Sequence, residues 1–472
     1  MKLSLKTKLS YGVGAVCDNA MYTLSGTFLL LFLTTVAGVT PAVAGTISAL
    51  GSIWEAICAP IVGFKSDETV SRFGKRKPFL LIGAFPVAII TSLLFTAIDA
   101  TQTVKVIYYG IMVIAYWTCF SSFFVPYLAW GSDLTDDYDE RTVLRSFSYI
   151  FNQVGMCLGM VLPPIVVDYC ISQGRTEAQS WQTVGMMVGV CGTVALLLCA
   201  LSIKNDDVKN FVKPPKKEKG SFVSTLPQVF KEYWNILKLR PIRVIIGASL
   251  AYLIANTTLS SDLVFFLEFN MMLDGATISA VLFMITIVGV ISVPFIAKLA
   301  GRFSKKGAFM GIIGVCGALL VGTKFVGIDN YPVMIAACLF YAIANASYWQ
   351  LMPAMIYDVC EVEELVSGEK HSGAVISLQA LSESISIAVG LQMLGIILEL
   401  AGFNSELAVQ SQTALNWVEN AFVVIPGLAM MGVAFIMTKF PIDKATFDRV
   451  KNLLERRKKG EAIEIEELEK FL

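Results

Sequence analysis

Histidine occurs once in this chain, at position 371, so zinc sites built from several imidazoles are excluded. Charge is scarce as well. Only 16% of residues are charged, and 37 Lys and Arg balance 37 Asp and Glu, leaving no cationic surplus to hold nucleic acid. Ten cysteines stand singly, mainly inside apolar stretches. That spacing fits small buried hydrophobes and gives no metal knuckle or disulfide framework. No paired serine and base is evident, so neither an enzyme nor a catalytic or metal-ligating residue is expected. Lys2, Lys6 and Lys8 precede a long apolar run without an evident cleavage site. A retained first helix is expected there, not a signal peptide.

What the chain has in abundance is apolar length. Hydrophobic residues make up 55% of it, and the mean hydropathy is +0.66. A bilayer core of about 30 Å needs roughly 20 apolar residues per helix. Twelve stretches of that kind run over 10–36, 41–64, 78–98, 106–130, 146–169, 182–203, 242–270, 275–299, 308–327, 332–356, 373–402 and 415–438. Length and number separate them from the helices of a soluble core. The expected fold class is an all-α, multi-pass membrane protein.

Cations collect on alternate connectors. One side holds the N-terminal lysines, Lys65, Arg72, Lys75, Arg76, Lys77, Arg141, Arg145, the lysines of 204–240, Arg302, Lys305, Lys306 and Lys370; the other holds little beyond Lys105 and Arg175. By the positive-inside rule both termini face the cytoplasm, which requires an even number of spans. The segment 204–240, with Lys213-Pro214-Pro215-Lys216-Lys217, is a solvated linker by composition. It separates an N-terminal bundle (1–203) from a C-terminal bundle (241–439), followed by a tail (440–472). The tail is either a short amphipathic surface helix or, the favoured reading, solvated. Arg72-Phe73-Gly74-Lys75-Arg76-Lys77 after the second span is echoed by Arg302-Phe303-Ser304-Lys305-Lys306-Gly307 after the eighth. Equal placement in each half indicates duplication, the mark of parallel repeats in which solute binds near the midplane.

Ionisable groups inside hydrocarbon are costly and therefore functional candidates. Glu55 lies mid-span in the second helix. A lone carboxyl there suits proton coupling. Asp18, Tyr22 and Ser25 form a polar stripe in the first span at i, i+4 and i+7, with Asn19 beside Asp18. Tyr149, Asn152 and Gln153 lie in the fifth, ahead of the close-packing pair Gly155 and Gly159. Asn345, Trp349 and Gln350 lie in the tenth, Gln379, Glu383 and Ser386 in the eleventh, and Trp117 and Ser121 in the fourth. Aromatic faces with amides suit a hydroxyl-rich solute. Asp262 is a weaker candidate, and Glu268 reads as solvated near the outer surface. Asp358 and Glu361, near the inner end of the tenth span, read as gating partners for Lys370 or Arg141.

Several motifs carry a specific resemblance. Tyr11-Gly12-Val13-Gly14, Trp54-Glu55, Pro60, Gly63, Asp67, Ser71-Arg72-Phe73-Gly74-Lys75-Arg76-Lys77-Pro78, Pro126-Tyr127 and Asp133-Leu134-Thr135-Asp136-Asp137-Tyr138-Asp139-Glu140-Arg141-Thr142 resemble the glycoside–pentoside–hexuronide:cation symporters. Trp349, Pro353, Asp358, Glu361 and Ser377-Leu378-Gln379 agree in outline. The resemblance implies a major facilitator fold of two six-helix bundles and cation-coupled uptake of sugars or glycosides. It makes Asp67, Arg72, Lys75 and Arg141 parts of the cytoplasmic gating motifs.

Against the family pattern exemplified by melibiose permease, Glu55 keeps the first carboxylate of span two, while Ala59 and Cys58 replace the second carboxylate and the amide between them. Phe124 stands in place of the span-four aspartate, with Ser121 keeping a nearby hydroxyl. Asn19, beside Asp18, replaces the span-one aspartate. Tyr149 replaces the sugar-contacting arginine, and Ser384, beside Glu383, the span-eleven lysine. Sodium needs several oxygens and a proton only one carboxyl, so proton coupling through Glu55 and Ser121 is favoured, with sodium or uncoupled transport as alternatives. Without the arginine and lysine, a neutral sugar or glycoside fits better than an acidic one. A lipid or amphiphile carrier, with Phe124 and Tyr149 lining its path, and a receptor that binds without transporting are further alternatives. The expected location is the cytoplasmic membrane, with no cofactor beyond the coupling ion.

Overall fold

A computed structural model describes residues 3–203 and 236–458 together with Trp234, leaving out 70, 72, 75, 135–137, 235, 368–371, 405, 406 and 408. The linker from 204, the end of the tail from 459 and His371 thus lie outside the described residues. Of the gating candidates, Arg72 and Lys75 lie outside them, as do the side chains of Asp67 and Arg141.

No strand occurs among the described residues. In hydrocarbon every backbone N–H and C=O must be satisfied within its own segment, and helices achieve that. Helix α1 covers Leu5–Val36, α2 Pro41–Glu68, α3 Lys77–Leu94 and α4 Gln102–Asp133. Helix α5 runs Tyr138–Met156, passes a π turn at Cys157–Val161 and continues as Leu162–Ser172; α6 is Glu177–Ser202. Helix α7 covers Arg240–Asn270. One continuous helical stretch, Gly275–Val326, is broken by non-helical backbone at Ser304 and is therefore two spans, α8 (275–303) and α9 (305–326). Helices α10 (Tyr331–Ser367), α11 (Ser372–Leu400) and α12 (Gln412–Thr438) follow, then α13 (Lys444–Lys458). Among the described residues, twelve helices long and apolar enough to cross a bilayer result. The chain is a multi-pass membrane protein.

The halves repeat in backbone detail. Helix α1 ends in a π turn, Phe32–Val36, and α7 in another, Phe266–Asn270. Each is followed by a left-handed residue, Gly38 (φ 65°) and Met272 (φ 50°), and each pair of positions is 234 residues apart. The echoed basic turns share a positive φ as well, at Gly74 (90°) and Ser304 (73°). In the first half Lys77 donates to the carbonyl of Ile203 at the end of α6 (3.2 Å). In the second, Lys306 donates to Thr438 (3.0 Å) and Phe440 (2.5 Å) at the end of α12. A cation on orphan carbonyls at a helix C-terminus is favourable twice over. Duplication thus extends to the contacts.

The described residues cluster as two compact units. The first joins α1–α6 to Ser260–Phe283 and Leu391–Val418; the second takes the remainder of α7–α12 with α13. In the first unit, Tyr11 and Tyr127 stack at 4.6 Å, and the Tyr127 hydroxyl donates to the Tyr11 carbonyl (2.9 Å). Gly155 and Gly159 lie on α1 so closely that a Cβ would meet the carbonyl oxygens of Val16 and Ala20. In the second unit α13 is packed and not solvated. Val450, Leu453 and Leu454 are buried, and Arg457 donates to the Leu365 carbonyl at the end of α10. The expectation of a free tail missed this, because the apolar side of α13 is too short to stand out among its charges.

At the end of the helices opposite the termini, the first unit contains a seal. Ser261 on α7 donates to the Gly26 carbonyl on α1 (3.1 Å). Glu399 on α11 accepts the Ala42 N–H at the start of α2 (2.9 Å). Gly45 and Gly395 let α2 and α11 cross in backbone contact: a Cβ on Gly395 would lie 2.5 Å from the Pro41 oxygen and 3.0 Å from Gly45 Cα. Asp274 starts α8, and the Thr277 hydroxyl, followed by the Thr277 N–H it accepts (3.1 Å), holds its carboxyl below the usual carboxylate range.

Candidate functional site

Each unit carries its own group of buried polar side chains. In the first, α2 meets α4 where the Trp54 indole N–H donates to Thr118 Oγ1 (2.7 Å), itself tied to the Ile114 carbonyl. Gly51, one turn from Glu55 on α2, leaves room for the Trp117 indole, which a Cβ there would strike. Glu55 is half-buried beside this contact. Ser121, one turn from Trp117 on α4, is fully buried, and its Oγ has no hydrogen-bond partner.

Aromatic rings bound the same region. Tyr22 meets Trp117 edge-on with centroids 6.1 Å apart, Trp117 meets Phe120 at 5.2 Å, and Phe120 stacks on Phe124 at 5.0 Å. Opposed edges and faces are the favoured geometry for such rings. On the α1–α5 contact, Asn19 sits against Gly155, and the amide oxygens of Asn19 and Asn152 are both buried without a partner. Asp18 and Gln153 are half-buried, and Tyr149 is 52% exposed.

The second unit holds a connected chain. Gln379 Nε2 donates to Ser249 Oγ (2.6 Å) and to Glu383 Oε1 (3.0 Å). Ser249 Oγ lies 2.5 Å from the Tyr348 hydroxyl, and Tyr348 stacks on Tyr252 at 4.3 Å. Both amide hydrogens of Gln379 are thereby used, while its Oε1 is left as a buried acceptor with no partner. The oxygens of Asn345 and Gln350 on α10 are in the same condition. Trp349 turns its edge to Tyr348 (5.3 Å) and is 47% exposed.

These placements join the expected residues in some cases and not in others. Gln379 and Glu383 come together with Ser249 and Tyr348, two residues that sequence reasoning missed because an isolated serine and tyrosine in an apolar helix carry no periodic signal. Asp358 is paired with Lys305 (2.6 and 2.7 Å); Lys370 and the side chain of Arg141, the partners expected from the sequence, lie outside the described residues. The echoed basic turn brings Lys305 to it, which the linear order conceals. Glu361 is half-buried on the same helix. Glu268 is not the solvated residue expected. It is half-buried and lines a pocket with Asp168, Glu177, Asp274, Phe28 and Trp181. Asp262 is fully buried, and neither of its oxygens has a partner.

Buried oxygens without donors cost about 1–3 kcal/mol each. Each unit therefore carries its own acceptors suited to ligand hydroxyls, Asn19, Ser121 and Asn152 in the first and Asn345, Gln350 and Gln379 in the second. Among the described residues no group of three or more metal-ligating side chains occurs.

Comparison with known proteins follows the same line. Residues 10–444 match the family described as MFS/sugar transport protein. The glucuronide carrier protein homolog of Escherichia coli is 24% identical, over 97% of this chain and 97% of its own length. The isoprimeverose transporter of Lactiplantibacillus pentosus is also 24% identical, over 93% and 88%. A crystal structure of a D-xylose–proton symporter superposes with a TM-score of 0.62 at 14% identity, covering 93% of this chain and 97% of that one. At that identity the likeness establishes the major facilitator fold alone.

Proposed function

The chain belongs to the MFS/sugar transport family, a secondary transporter and not an enzyme, and we propose that it imports a neutral sugar or glycoside together with a proton. The observation that carries the solute class is the group of unpartnered buried acceptors within each unit, because a polyol supplies hydroxyl donors to such oxygens. The rings of Tyr22 and Phe124, backed by the buried Trp117 and Phe120, would offer faces to its C–H surfaces. Relatives named for glucuronide, isoprimeverose and glycosides support a carbohydrate cargo. The absence of the family's arginine and lysine at Tyr149 and Ser384 favours an uncharged one.

Glu55 would carry the coupling proton. A proton needs one titratable carboxyl, whereas sodium calls for several hard oxygens. Around Glu55 the side chains at Cys58 and Ala59 supply none. With both termini in the cytoplasm of the cell, as the cation distribution indicates, the seal described above lies on the outer face. Alternating access would proceed by rocking of the halves as Glu55 and solute load together.

Counterflow in proteoliposomes over a panel of neutral glycosides tests the cargo. Exchange of at least one is expected, and folded protein that exchanges none would refute it. Stabilisation by lipids alone would favour an amphiphile carrier. Glu55→Gln should retain exchange and lose uphill accumulation driven by a proton gradient; continued accumulation would remove Glu55 from the coupling step.

A further inference from the structure

Asp262 has no part in that scheme, yet it is the most isolated carboxyl described. It is 0% exposed, and neither oxygen has a hydrogen-bond partner. Its position is defined by its neighbours on α7. One residue earlier, Ser261 donates to Gly26 in the seal. One turn earlier on the same face, Thr258 donates to the carbonyls of Ile254 (2.8 Å) and of Gly390 on α11 (3.3 Å). Helices α7 and α11 run in the same direction, so the next turn brings position 262 to the level of Leu394, itself fully buried.

The titratable residues on the helices that pack here stand off from this level. On α1 they are Tyr22, one turn from Gly26, and Asp18, two turns away. On α7 the next is Glu268, in its own pocket, and on α11 they are Glu383, two turns from Gly390, and Glu399, more than a turn from Leu394. No charged side chain among the described residues pairs with Asp262.

We propose that Asp262 is a proton-binding site of the outer seal, occupied while α1 is closed on α7 and vacated when the seal opens. An uncompensated carboxylate in such a place costs several kcal/mol, whereas the neutral acid forgoes at most its hydrogen bonds. The sealed form therefore keeps the proton. Opening admits water to both oxygens, and the O–H proton can pass to that water. The sign follows from linkage: the open form binds fewer protons, so opening is favoured as pH rises, by up to about tenfold per pH unit once the open form ionises. The site is a lock read by the outer medium, and its proton is not the one delivered with solute. It rests on the alternating-access reading above, and not on the solute or on Glu55.

Infrared titration of the protein in lipid vesicles tests the site. Wild type should show the carbonyl band of a protonated, water-excluded carboxyl at neutral pH, and Asp262→Asn should lack it while Glu55→Gln keeps it. Amide exchange at the start of α2, taken as a ratio to exchange in α6, should then rise with pH in wild type and stay flat in Asp262→Asn. Asp262→Ser serves the same end should the amide variant fold poorly. An identical band in wild type and variant, or an unchanged pH dependence, would overturn the proposal. Neither readout requires transport, so failure of the sugar reading leaves a separate signature in the counterflow assay.

Discussion

Gly395→Ala is a sharp probe of the seal, because its effect follows from backbone geometry. The new Cβ would lie 2.5 Å from the Pro41 carbonyl oxygen, 3.0 Å from Gly45 Cα and 3.3 Å from the Gly45 nitrogen. All three are main-chain atoms, so no rotamer change relieves the overlap, and α2 and α11 must move apart. Overpacking of this kind costs about 1–3 kcal/mol. The helix gains up to about 1 kcal/mol from losing a glycine, but α11 is helical whether the seal is shut or open, so that gain cancels. The closed form alone bears the clash, and the seal should open about 5–150-fold more often. Hydrogen exchange at Ala42, whose N–H is held by Glu399, reads that opening directly. Peptides from α3 and α6, which pack elsewhere in the same unit, should be unaffected. Gly26→Ala is the matched control: it lies at the same seal, yet a Cβ there meets nothing within 4 Å. Equal protection of Ala42 in wild type and Gly395→Ala, or equal loss in both variants, would refute the geometry.

Two further outcomes concern the second unit and the duplicated turns. A double-mutant cycle of Lys305→Met and Asp358→Asn should give a coupling of about 1 kcal/mol in thermal unfolding, modest because the Lys305 side chain is 42% exposed and screened; a coupling of zero would make the pair incidental. Met272→Gly should raise thermal stability by about 1 kcal/mol, since an L side chain at φ 50° is strained and this one is 66% exposed; a loss of stability would show that the methionine is held by contacts.

The spans were legible because hydrocarbon demands length, and ten of the eleven boundaries between them needed nothing more. The remaining one was legible only through the basic turn at Arg302-Phe303-Ser304, since the backbone between α8 and α9 departs from helix at a single residue. The spacing of Gly155 and Gly159 also marked a close helix contact on α5, but that the partner is α1 came only from the structure. The polar chain Glu383–Gln379–Ser249–Tyr348 was half visible: α11 spacing joins its first two members, but Ser249 and Tyr348 arrive from 130 residues and 31 residues away in sequence from Gln379, respectively. Partner choice was the least legible quantity. Asp358 finds Lys305, 53 residues away in sequence, because folding back of α9 brings the two together, and no local pattern encodes that.

Met272 has one more meaning. The chain bends the same way after α7 as it does after α1, although only the first bend keeps a glycine. Curvature there is imposed by the helices on either side, which hold the joint in place whichever residue occupies it. Hinges inherited in this manner can outlast the amino acid that first permitted them, and a search for glycines alone would pass over the joint.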